Sequence, residues 1–170
     1  MTVRDIELTV SLYFQPRTNV IVPNVSWGFL YGREADMLVL TPRGWITEIE
    51  IKTSAADIKR DLQKRFGHWD RKVRQCWFAV PEKLAQSPDI PEHYGILSVS
   101  DAKFSLGRQE YHKIKAVRAP KINPEARKVT DKERLHLMHL GCMRIWTLKA
   151  ALEKKKPSKA IAEIKYTLEL

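Results

Sequence analysis

Residues 34–40 and 45–52 are two runs rich in strand-forming residues, separated by the turn Pro42-Arg43-Gly44. This turn suits a three-residue hairpin, in which a type I turn is closed by a glycine in the left-handed region. If Thr41 pairs with Trp45, counting back along both strands places Asp36 opposite Glu50 across the ladder. A slip of one residue would place Ile49 there instead. The sequence therefore predicts an antiparallel hairpin, and the first of these two registers is the one that brings two acids together.

In the second run, Glu48, Glu50 and Lys52 alternate with apolar residues and so point to one side of the strand. A sheet with one solvated face would explain that pattern. Against this stand Asp36 on the neighbouring strand and Glu7 on the apolar stripe of the first predicted helix. Phosphodiester hydrolysis needs a Lewis acid, and magnesium prefers carboxylate oxygens. A lysine beside the metal can orient or deprotonate the attacking water. Asp36, Glu50 and Lys52 supply these parts, while Glu48 either supports them or faces solvent.

The other elements follow from periodicity, caps and breakers. Apolar spacing predicts a first helix, and Pro23 marks the next strand as an edge strand. Ser54 predicts the start of a second helix, with Ala55, Ile58, Leu62 and Phe66 on its buried stripe. The predicted elements are helices over 3–14, 54–66 and 131–154, strands over 19–25, 34–40, 45–52, 76–80 and 95–99, and a basic hairpin around Gly107 over 103–117.

The long helix over 131–154 begins at a capping box that Thr130 and Glu133 form. Helical spacing predicts that its buried stripe consists of Leu135, Met138, Cys142, Ile145 and Leu152. With Cys76, Cys142 is one of two cysteines, too few for a disulfide framework or a cysteine-based zinc site. We expect both thiols to be buried in a reducing compartment.

The element order α-β-β-β-α-β-β indicates a mixed α/β sandwich around one central sheet. An acid followed about a dozen residues later by Glu-Ile-Lys at a strand end resembles the signature of the PD-(D/E)XK phosphodiesterase superfamily, whose core is α-β-β-β-α-β. Ala35 stands where the superfamily name has proline. The chain is more closely similar to the MmcB-like family of DNA-repair proteins. That likeness covers roughly residues 30–100 and involves Arg33–Asp36, Glu50–Ser54, Ala56–Asp57, Asp61 and Phe78–Pro81.

The resemblance implies Asp36 and Glu50 as metal ligands and Lys52 as the catalytic lysine. Glu7 would match the acid that many superfamily members carry on their first helix, which makes it a third metal ligand. The implied cofactor is Mg²⁺, with Mn²⁺ as a substitute. The implied fold is a restriction-endonuclease-like core, a mixed central sheet flanked by helices, over residues 1–117. A basic helical C-terminal extension over 118–170 has no counterpart in the resemblance.

The net charge is +10, and the window 103–159 holds sixteen Lys or Arg against five Asp or Glu. A positive surface of this size suits a polyanion, because phosphate neutralisation releases condensed counterions. A membrane surface would need a basic helix with a bulky aromatic face, which the sequence does not offer. We therefore expect DNA as the partner. The residues predicted to contact its phosphates are Lys59, Lys64, Lys154, Lys155 and Lys156.

The leading hypothesis is a metal-dependent DNA endonuclease that acts in repair, recombination or phage DNA processing. A DNA-binding protein on the same fold that does not cleave is the alternative, and a nuclease directed at RNA is a third. The charges of Arg4, Asp5 and Glu7 do not suit a signal peptide, and no apolar run approaches the roughly 20 residues of a membrane span. A cytoplasmic protein is expected. Because many nucleases of the superfamily dimerise, a homodimer through the 131–154 helix is one candidate state.

Overall fold

A six-stranded mixed sheet organises the protein in a computed structural model that describes residues 1–25, 28–62 and 70–154. The strands lie in chain order, with β3, β4 and β5 parallel and the outer pairs antiparallel. This confirms the predicted α/β class. The elements are α1 (Val3–Tyr13), β1 (Val20–Val25), β2 (Ala35–Leu40), β3 (Ile46–Ile51), α2 (Ala55–Leu62), β4 (Val73–Pro81), a short 3₁₀ turn (Glu82–Leu84), β5 (Gly95–Leu106), β6 (Gln109–Arg118) and α3 (Asp131–Lys154).

The β2–β3 hairpin has the predicted register, with Met37 opposite Ile49. The Thr41 N–H donates to the Trp45 carbonyl at 2.9 Å, and the Gly44 N–H donates to the Thr41 carbonyl at 2.9 Å. Gly44 has φ +85°, the left-handed conformation that favours glycine. The turn chemistry therefore sets the pairing. The edge position predicted for β1 is also confirmed, since β1 pairs with β2 alone.

Helix α1 covers one face of the sheet. Its N-terminus is a capping box in which the Thr2 hydroxyl accepts from the Asp5 N–H at 3.2 Å. Ile6 and Val10 are fully buried against apolar residues of β2 to β5. The Thr9 hydroxyl accepts from the His112 N–H of β6 at 3.1 Å, which closes the N-terminal helix onto the last strand.

The opposite face is covered by α2 near β4 and β5, and by α3 near β1 and β2. The Ser54 hydroxyl accepts from the Asp57 N–H at 3.2 Å, so the predicted start of α2 is confirmed. Ile58 is buried beside Phe78. Ala55 was predicted to be buried but is exposed, because it lies in the first turn, outside the apolar cluster. The predicted continuation of α2 through Phe66 lies outside the described residues.

The strand predicted over 95–99 and the first arm of the predicted hairpin form one continuous strand, β5, which reaches Leu106. A register shift between Val99 and Lys103 separates its buried half from its exposed half. The hairpin turn at Gly107 is confirmed, with φ +64° at that residue. Strands β5 and β6 therefore extend beyond the core as a two-stranded arm.

Helix α3 has the predicted bounds and the predicted capping box, in which the Glu133 carboxylate accepts from the Thr130 N–H at 2.8 Å. The predicted buried stripe is wrong: Leu135, Met138, Cys142, Ile145 and Leu152 are all exposed. The side that faces the sheet instead carries Leu137, which is fully buried, and Gly141. A Cβ atom on Gly141 would lie 3.2 Å from Val22 Cγ2. The absent side chain lets this face of the helix approach β1 closely.

The segment between β6 and α3 passes the start of β4 and the β2–β3 turn, and hydrogen bonds hold it there. The Asn123 side chain donates to the Val73 carbonyl at 2.9 Å, and the Val129 N–H donates to the Gly44 carbonyl at 3.0 Å. The division at residues 117 and 118 stays a prediction, although Leu137 shares one apolar cluster with residues of β1 and β2. In the part of the chain that the structure describes, no helix has the length and apolar character needed to cross a membrane.

Candidate functional site

The hairpin register places Asp36, Glu48, Glu50 and Lys52 on the same side of the sheet, because side chains alternate along each strand. Strand β3 lies in the interior of the sheet between β2 and β4. The Lys52 N–H donates to the Ala79 carbonyl at 3.1 Å, which continues the β3–β4 pairing by one residue. Lys52 is thereby held at the carboxyl end of β3.

Glu50 and Lys52 form a buried ion pair. The Lys52 Nζ atom donates to Glu50 Oε2 at 2.7 Å, and the two residues are 2% and 7% exposed. The same ammonium group lies 5.7 Å from the centroid of the Phe78 ring. Removing two charges from water costs free energy that their mutual attraction does not always recover. An arrangement of this kind therefore calls for a reason other than stability.

Asp36 lies beside this pair at the start of β2. Its Oδ2 atom accepts a hydrogen bond from the Ile51 N–H at 2.7 Å. The carboxylate therefore contacts β3 at the residue that stands between Glu50 and Lys52 in the sequence. Asp36 is half-buried and is the most accessible of the three predicted catalytic residues. The structure thus brings Asp36, Glu50 and Lys52 together, as the sequence predicted.

Arg33 and Glu48 form a second buried pair, which the sequence reasoning did not predict. Both terminal nitrogens of Arg33 donate to the Glu48 carboxylate, with Nη2 2.7 Å from Oε2. Burial by itself would lower the pKa of Arg33, but the bond to Glu48 raises it. The Cys76 thiol donates to Glu48 Oε2 at 3.7 Å; burial, and then the charge of Glu48, raises the pKa of that thiol. Glu48 is fully buried and does not face solvent.

A signal for this pair was present in the sequence. Glu48 stands between the strand-forming residues Thr47 and Ile49, and a buried carboxylate needs a cation or several donors. Arg33 precedes the paired strand by two residues and is the nearest arginine on that side of the hairpin. Its bidentate geometry is the reason that arginine, rather than lysine, suits such a position.

Glu7 of α1 is half-buried, and its pKa is raised, first by burial and second by the charge of Asp36. A hydrogen bond with Asn24, and then the charge of Arg4, lower the pKa of Glu7 in part. The two acids are therefore near enough to interact. Within the described residues, however, no three His, Cys, Asp or Glu side chains are grouped as metal ligands. The role of Glu7 as a third ligand stays a prediction.

The donor atoms of Asp36 and Glu50 fit a magnesium ion, which takes carboxylate oxygens and keeps several water molecules. Four acids (Glu7, Asp36, Glu48 and Glu50) lie in this region, against three cations: Arg33 and Lys52, each bonded to one acid, and Arg4, which lies near Glu7. Since each of those cations already lies beside one acid, a divalent cation would relieve the remaining negative charge. Two carboxylates leave coordination positions for water and a phosphate oxygen.

A cleft of about 450 Å³ opens at the carboxyl ends of β3 and β4. Thr53, which follows Lys52 in the chain, lines it together with Pro81, Lys83 and Asp101. In open α/β sheets, ligands bind beyond the carboxyl ends of the strands.

Of the five lysines predicted to contact DNA, Lys59 is the one whose side chain the structure describes. Lys59 is exposed on α2, with its ammonium group 3.8 Å from the Asp89 carboxylate. Lys64, Lys155 and Lys156 lie outside the described residues. Lys154 is the last residue of α3, and its side chain is also outside the described part. The structure therefore leaves these assignments as predictions.

The fold and the site define an α/β protein whose mixed six-stranded sheet carries a buried charged cluster on its central strands. The chain is similar in fold to a solved protein of unknown function from Silicibacter pomeroyi, with a TM-score of 0.58 and 19% identity over 88% of this chain and 89% of that one. No protein-family model matches the chain, and no curated protein does either.

Proposed function

We propose that this protein is a metal-dependent DNA endonuclease built on the PD-(D/E)XK core. The observation that carries the proposal is the convergence of Asp36 with the buried Glu50–Lys52 pair at the end of β3. An acid, a second acid and a lysine in this arrangement are the groups that metal-assisted hydrolysis of a phosphodiester requires. A pair of opposite charges that served stability alone would not need the additional carboxylate of Asp36 beside it.

The topology supports the restriction-endonuclease-like assignment. The order of α1, β1, β2, β3, α2 and β4 matches the α-β-β-β-α-β core of the superfamily. Its antiparallel β1–β2–β3 unit is followed by β4 parallel to β3. The likeness to the MmcB-like family is part of the same proposal, since Arg33, Asp36 and Glu50 are among the residues that carry it.

Each residue has a distinct part in the proposed chemistry. Asp36 and Glu50 would hold the metal, which would supply positive charge to the phosphoryl oxygens and acidify a water molecule. Lys52 directs that water and offsets the charge that develops on the phosphate. The Arg33–Glu48 pair lies two residues before Glu50 on β3 and holds that part of the strand in place.

A groove of about 580 Å³ beside β6 is suited to the DNA backbone. Its lining includes two lysines and two serines, Lys113, Lys115, Ser98 and Ser100, against one acid, Glu82. Ser98 is paired with Lys115, and it lies on the side of the sheet to which Phe78 and Glu50 also point. The groove therefore opens on the catalytic side of the sheet. Ammonium and hydroxyl donors are the usual partners of phosphate oxygens.

The test is a plasmid-nicking assay with Mg²⁺ or Mn²⁺ and with EDTA. Shape-preserving changes are used so that no cavity is added: Asp36→Asn, Glu50→Gln and Lys52→Met. Because neutralising one member of the Glu50–Lys52 pair leaves the other charge uncompensated, the folding of each variant is checked by its thermal melt before its activity is compared. Each should lower the cleavage rate by about 10²-fold to 10⁴-fold, as expected for a lost catalytic group. The matched control is Glu34→Gln, because Glu34 is an exposed acid two residues before Asp36.

Cleavage that continues unchanged in EDTA, or that survives all three substitutions, would contradict the proposed site. A wild-type protein that binds DNA tightly without nicking any substrate would favour the non-cleaving alternative. Single-stranded, duplex, flapped and four-way-junction DNA, together with RNA, should be tested in parallel. The comparison identifies the preferred substrate and decides between DNA and RNA.

A further inference from the structure

The two-stranded arm of β5 and β6 projects from the end of the sheet that carries the candidate site. Strand β5 runs parallel to β4, and β4 runs parallel to β3. The last pairing of β5 with β4 joins Val99 to Pro81. Residues 100–106 continue beyond that point, which at about 3.3 Å per residue is roughly 20 Å. Because Lys52 stands at the carboxyl end of β3, the arm extends past the end of the sheet at which the candidate site lies.

The alternation of side chains along β6 decides which way the residues of the arm point. Ile114 packs against the apolar cluster beneath α1, so it lies on the α1 side of the sheet. Tyr111, Lys113 and Lys115 are each an odd number of positions away from it and therefore point to the opposite side. That is the side on which Glu50 lies. One face of β6 thus carries an aromatic residue and two lysines on the catalytic side of the sheet.

Phe104 adds a second ring to this face. It is paired with Tyr111 across the arm, with ring centroids 5.9 Å apart and ring planes inclined by 29°. The two rings are therefore close to parallel, and Phe104 is 40% exposed. Surfaces that bind single-stranded nucleic acid combine such rings, on which bases stack, with cations that follow the phosphates. The arm has both on one face.

The charges of the arm are divided between its two sides. Lys103 and Glu110, whose charged groups are 3.4 Å apart, lie on the α1 side, since Lys103 pairs with His112 and Glu110 alternates with Tyr111. Lys113 and Lys115 form no ion pair within the part of the chain that the structure describes. Two neighbouring ammonium groups without a carboxylate partner favour an anion on the catalytic side.

We propose that the arm face, defined as Phe104, Tyr111, Lys113 and Lys115, binds a single-stranded segment of DNA beside the candidate site. An unpaired base stacks on the two rings, and the two ammonium groups bind the adjacent phosphates. Base pairs inside a duplex cannot bind in this way, because their neighbours in the stack cover them. The inference takes its DNA partner from the proposed function and adds that the DNA carries unpaired bases. It does not require the DNA to be cut.

The test is binding of the purified full chain to a single-stranded DNA and to a blunt duplex of the same sequence. Fluorescence anisotropy in EDTA measures both without cleavage, and the single strand should bind more tightly. Phe104→Leu keeps an apolar side chain but removes the ring. It should weaken single-strand binding by about 5-fold to 150-fold, the range for one lost base–aromatic stack, and leave duplex binding nearly unchanged. Phe104→Trp should bind the single strand as tightly as wild type.

The matched control is Tyr13→Leu. Tyr13 is 39% exposed and also belongs to an aromatic pair, but its ring meets that of Phe14 edge to face, on α1. Cross-strand aromatic pairs also stabilise hairpins, so the thermal melt of each variant is measured as well. A loss of binding in Phe104→Leu that follows a lower melting temperature, and that Phe104→Trp shares, marks a purely structural pair and overturns the stacking role.

Single-strand binding that is no tighter than duplex binding also overturns the proposal. Equal losses in Phe104→Leu and Tyr13→Leu do the same, because the effect then does not belong to the arm face. Failure of the proposed function gives a different result. A chain that nicks no DNA, but whose single-strand binding depends on the ring of Phe104, excludes the nuclease and supports the arm face.

Discussion

At the scale of single residues, the central feature is a set of buried charges that lie in pairs on one side of β3. Arg33 binds Glu48, and Lys52 binds Glu50, so each acid of the strand has a cation. Breaking a buried pair by removing one partner is more damaging than replacing both, because an uncompensated charge is left behind. A substitution at one of these residues therefore changes the stability of the fold as well as the chemistry of the site, and both have to be measured for each variant.

The first prediction concerns Arg33→Met. It leaves the fully buried Glu48 without its bidentate partner, so we expect a loss of about 3–5 kcal/mol of unfolding free energy. For a chain of this size that loss corresponds to a melting temperature lower by roughly 10 °C or more. The double variant Arg33→Met/Glu48→Leu should recover much of it. Chemical and thermal denaturation measure the stability of the single and of the double variant. A double variant no more stable than the single one would show that the pair does not act independently of its other neighbours.

The second prediction concerns metal binding to Asp36 and is read from stability alone. Asp36→Asn keeps an oxygen that can accept from the Ile51 N–H but removes a charge that opposes ionisation of Glu7. In EDTA, the variant should therefore melt higher than wild type. Manganese at about ten times its Kd should stabilise wild type by roughly 1.4 kcal/mol and should stabilise the variant much less.

Thermal melts of wild type, Asp36→Asn and the control Glu34→Gln in EDTA and in manganese make this comparison. An equal response to metal in wild type and in Asp36→Asn would exclude Asp36 as a ligand. A variant that is less stable in EDTA would instead indicate that Asp36 is a structural acid whose charge the fold requires.

At the scale of elements, what could be predicted depended on whether local chemistry or packing decides the outcome. The β2–β3 register was predictable because Pro42 and Gly44 fix the turn, and the turn fixes the pairing. The capping boxes were predictable for the same reason. The buried face of α3 was not, because the helix is apolar on two sides and periodicity cannot tell which one meets the sheet. Gly141 was the available hint, since it permits close approach to Val22.

The third prediction concerns the N-terminus of α3. The hydrogen bond from Arg127 and those from Thr130 hold the pKa of Glu133 at about 2, against an ordinary 4.5. Because the pKa of Glu133 is lower in the folded state than in the unfolded state, the ionised carboxylate stabilises the fold at pH values above about 4.5. This contribution is lost as the pH falls from about 4.5 toward 2. At pH 7, Glu133→Gln should lower stability by about 1 kcal/mol, the scale of a lost cap interaction.

Melting curves of wild type, Glu133→Gln and the exposed control Glu125→Gln across this pH range test the sign. The difference between wild type and Glu133→Gln should shrink as the pH falls below 4.5. A difference that is the same at pH 7 and at pH 2.5 would show that Glu133 acts through packing and not through its charge.

At the scale of the whole molecule, the excess positive charge has two uses. Some arginines hold the fold together: Arg118 donates to the carbonyls of Tyr94, Ile90 and Pro91, and Arg144 donates to the Asn24 carbonyl. From the sequence, only Lys154, Lys155 and Lys156 of the sixteen basic residues in the window were predicted as phosphate contacts, and the structural arginines could not be told from the others. The structure separates those arginines from exposed lysines such as Lys113 and Lys115, which face a groove.

The fourth prediction is that DNA binding is steeply salt-dependent and that the groove supplies part of that dependence. With on the order of five phosphate contacts, log K should fall with log salt at a slope near −4 to −5. Lys113→Gln/Lys115→Gln should make the slope shallower by about 2, since each lost contact contributes roughly 0.9. Charge reversal at Lys154, Lys155 and Lys156 should also make it shallower.

The matched control is Lys103→Gln/Lys121→Gln, which removes the same charge from lysines already paired with Glu110 and Glu92. Binding measured by fluorescence anisotropy at several salt concentrations separates the variants. If the control changes the slope as much as the groove variant does, the effect comes from net charge, and the groove is not the DNA track.

The closure of α1 onto β6 has a consequence for how the protein is made. The hydrogen bond between Thr9 and His112 joins residues 103 positions apart, and Ile6 and Val10 are buried only against strands that follow them. At a synthesis rate of about 5–20 residues per second, roughly 5–20 s pass between translation of the two partners. During that time the nascent helix lacks the part of its docking surface that β6 supplies. A ribosome-bound chain stalled before residue 109 should therefore expose this helix to chaperones and proteases, whereas one that has released β6 should protect it.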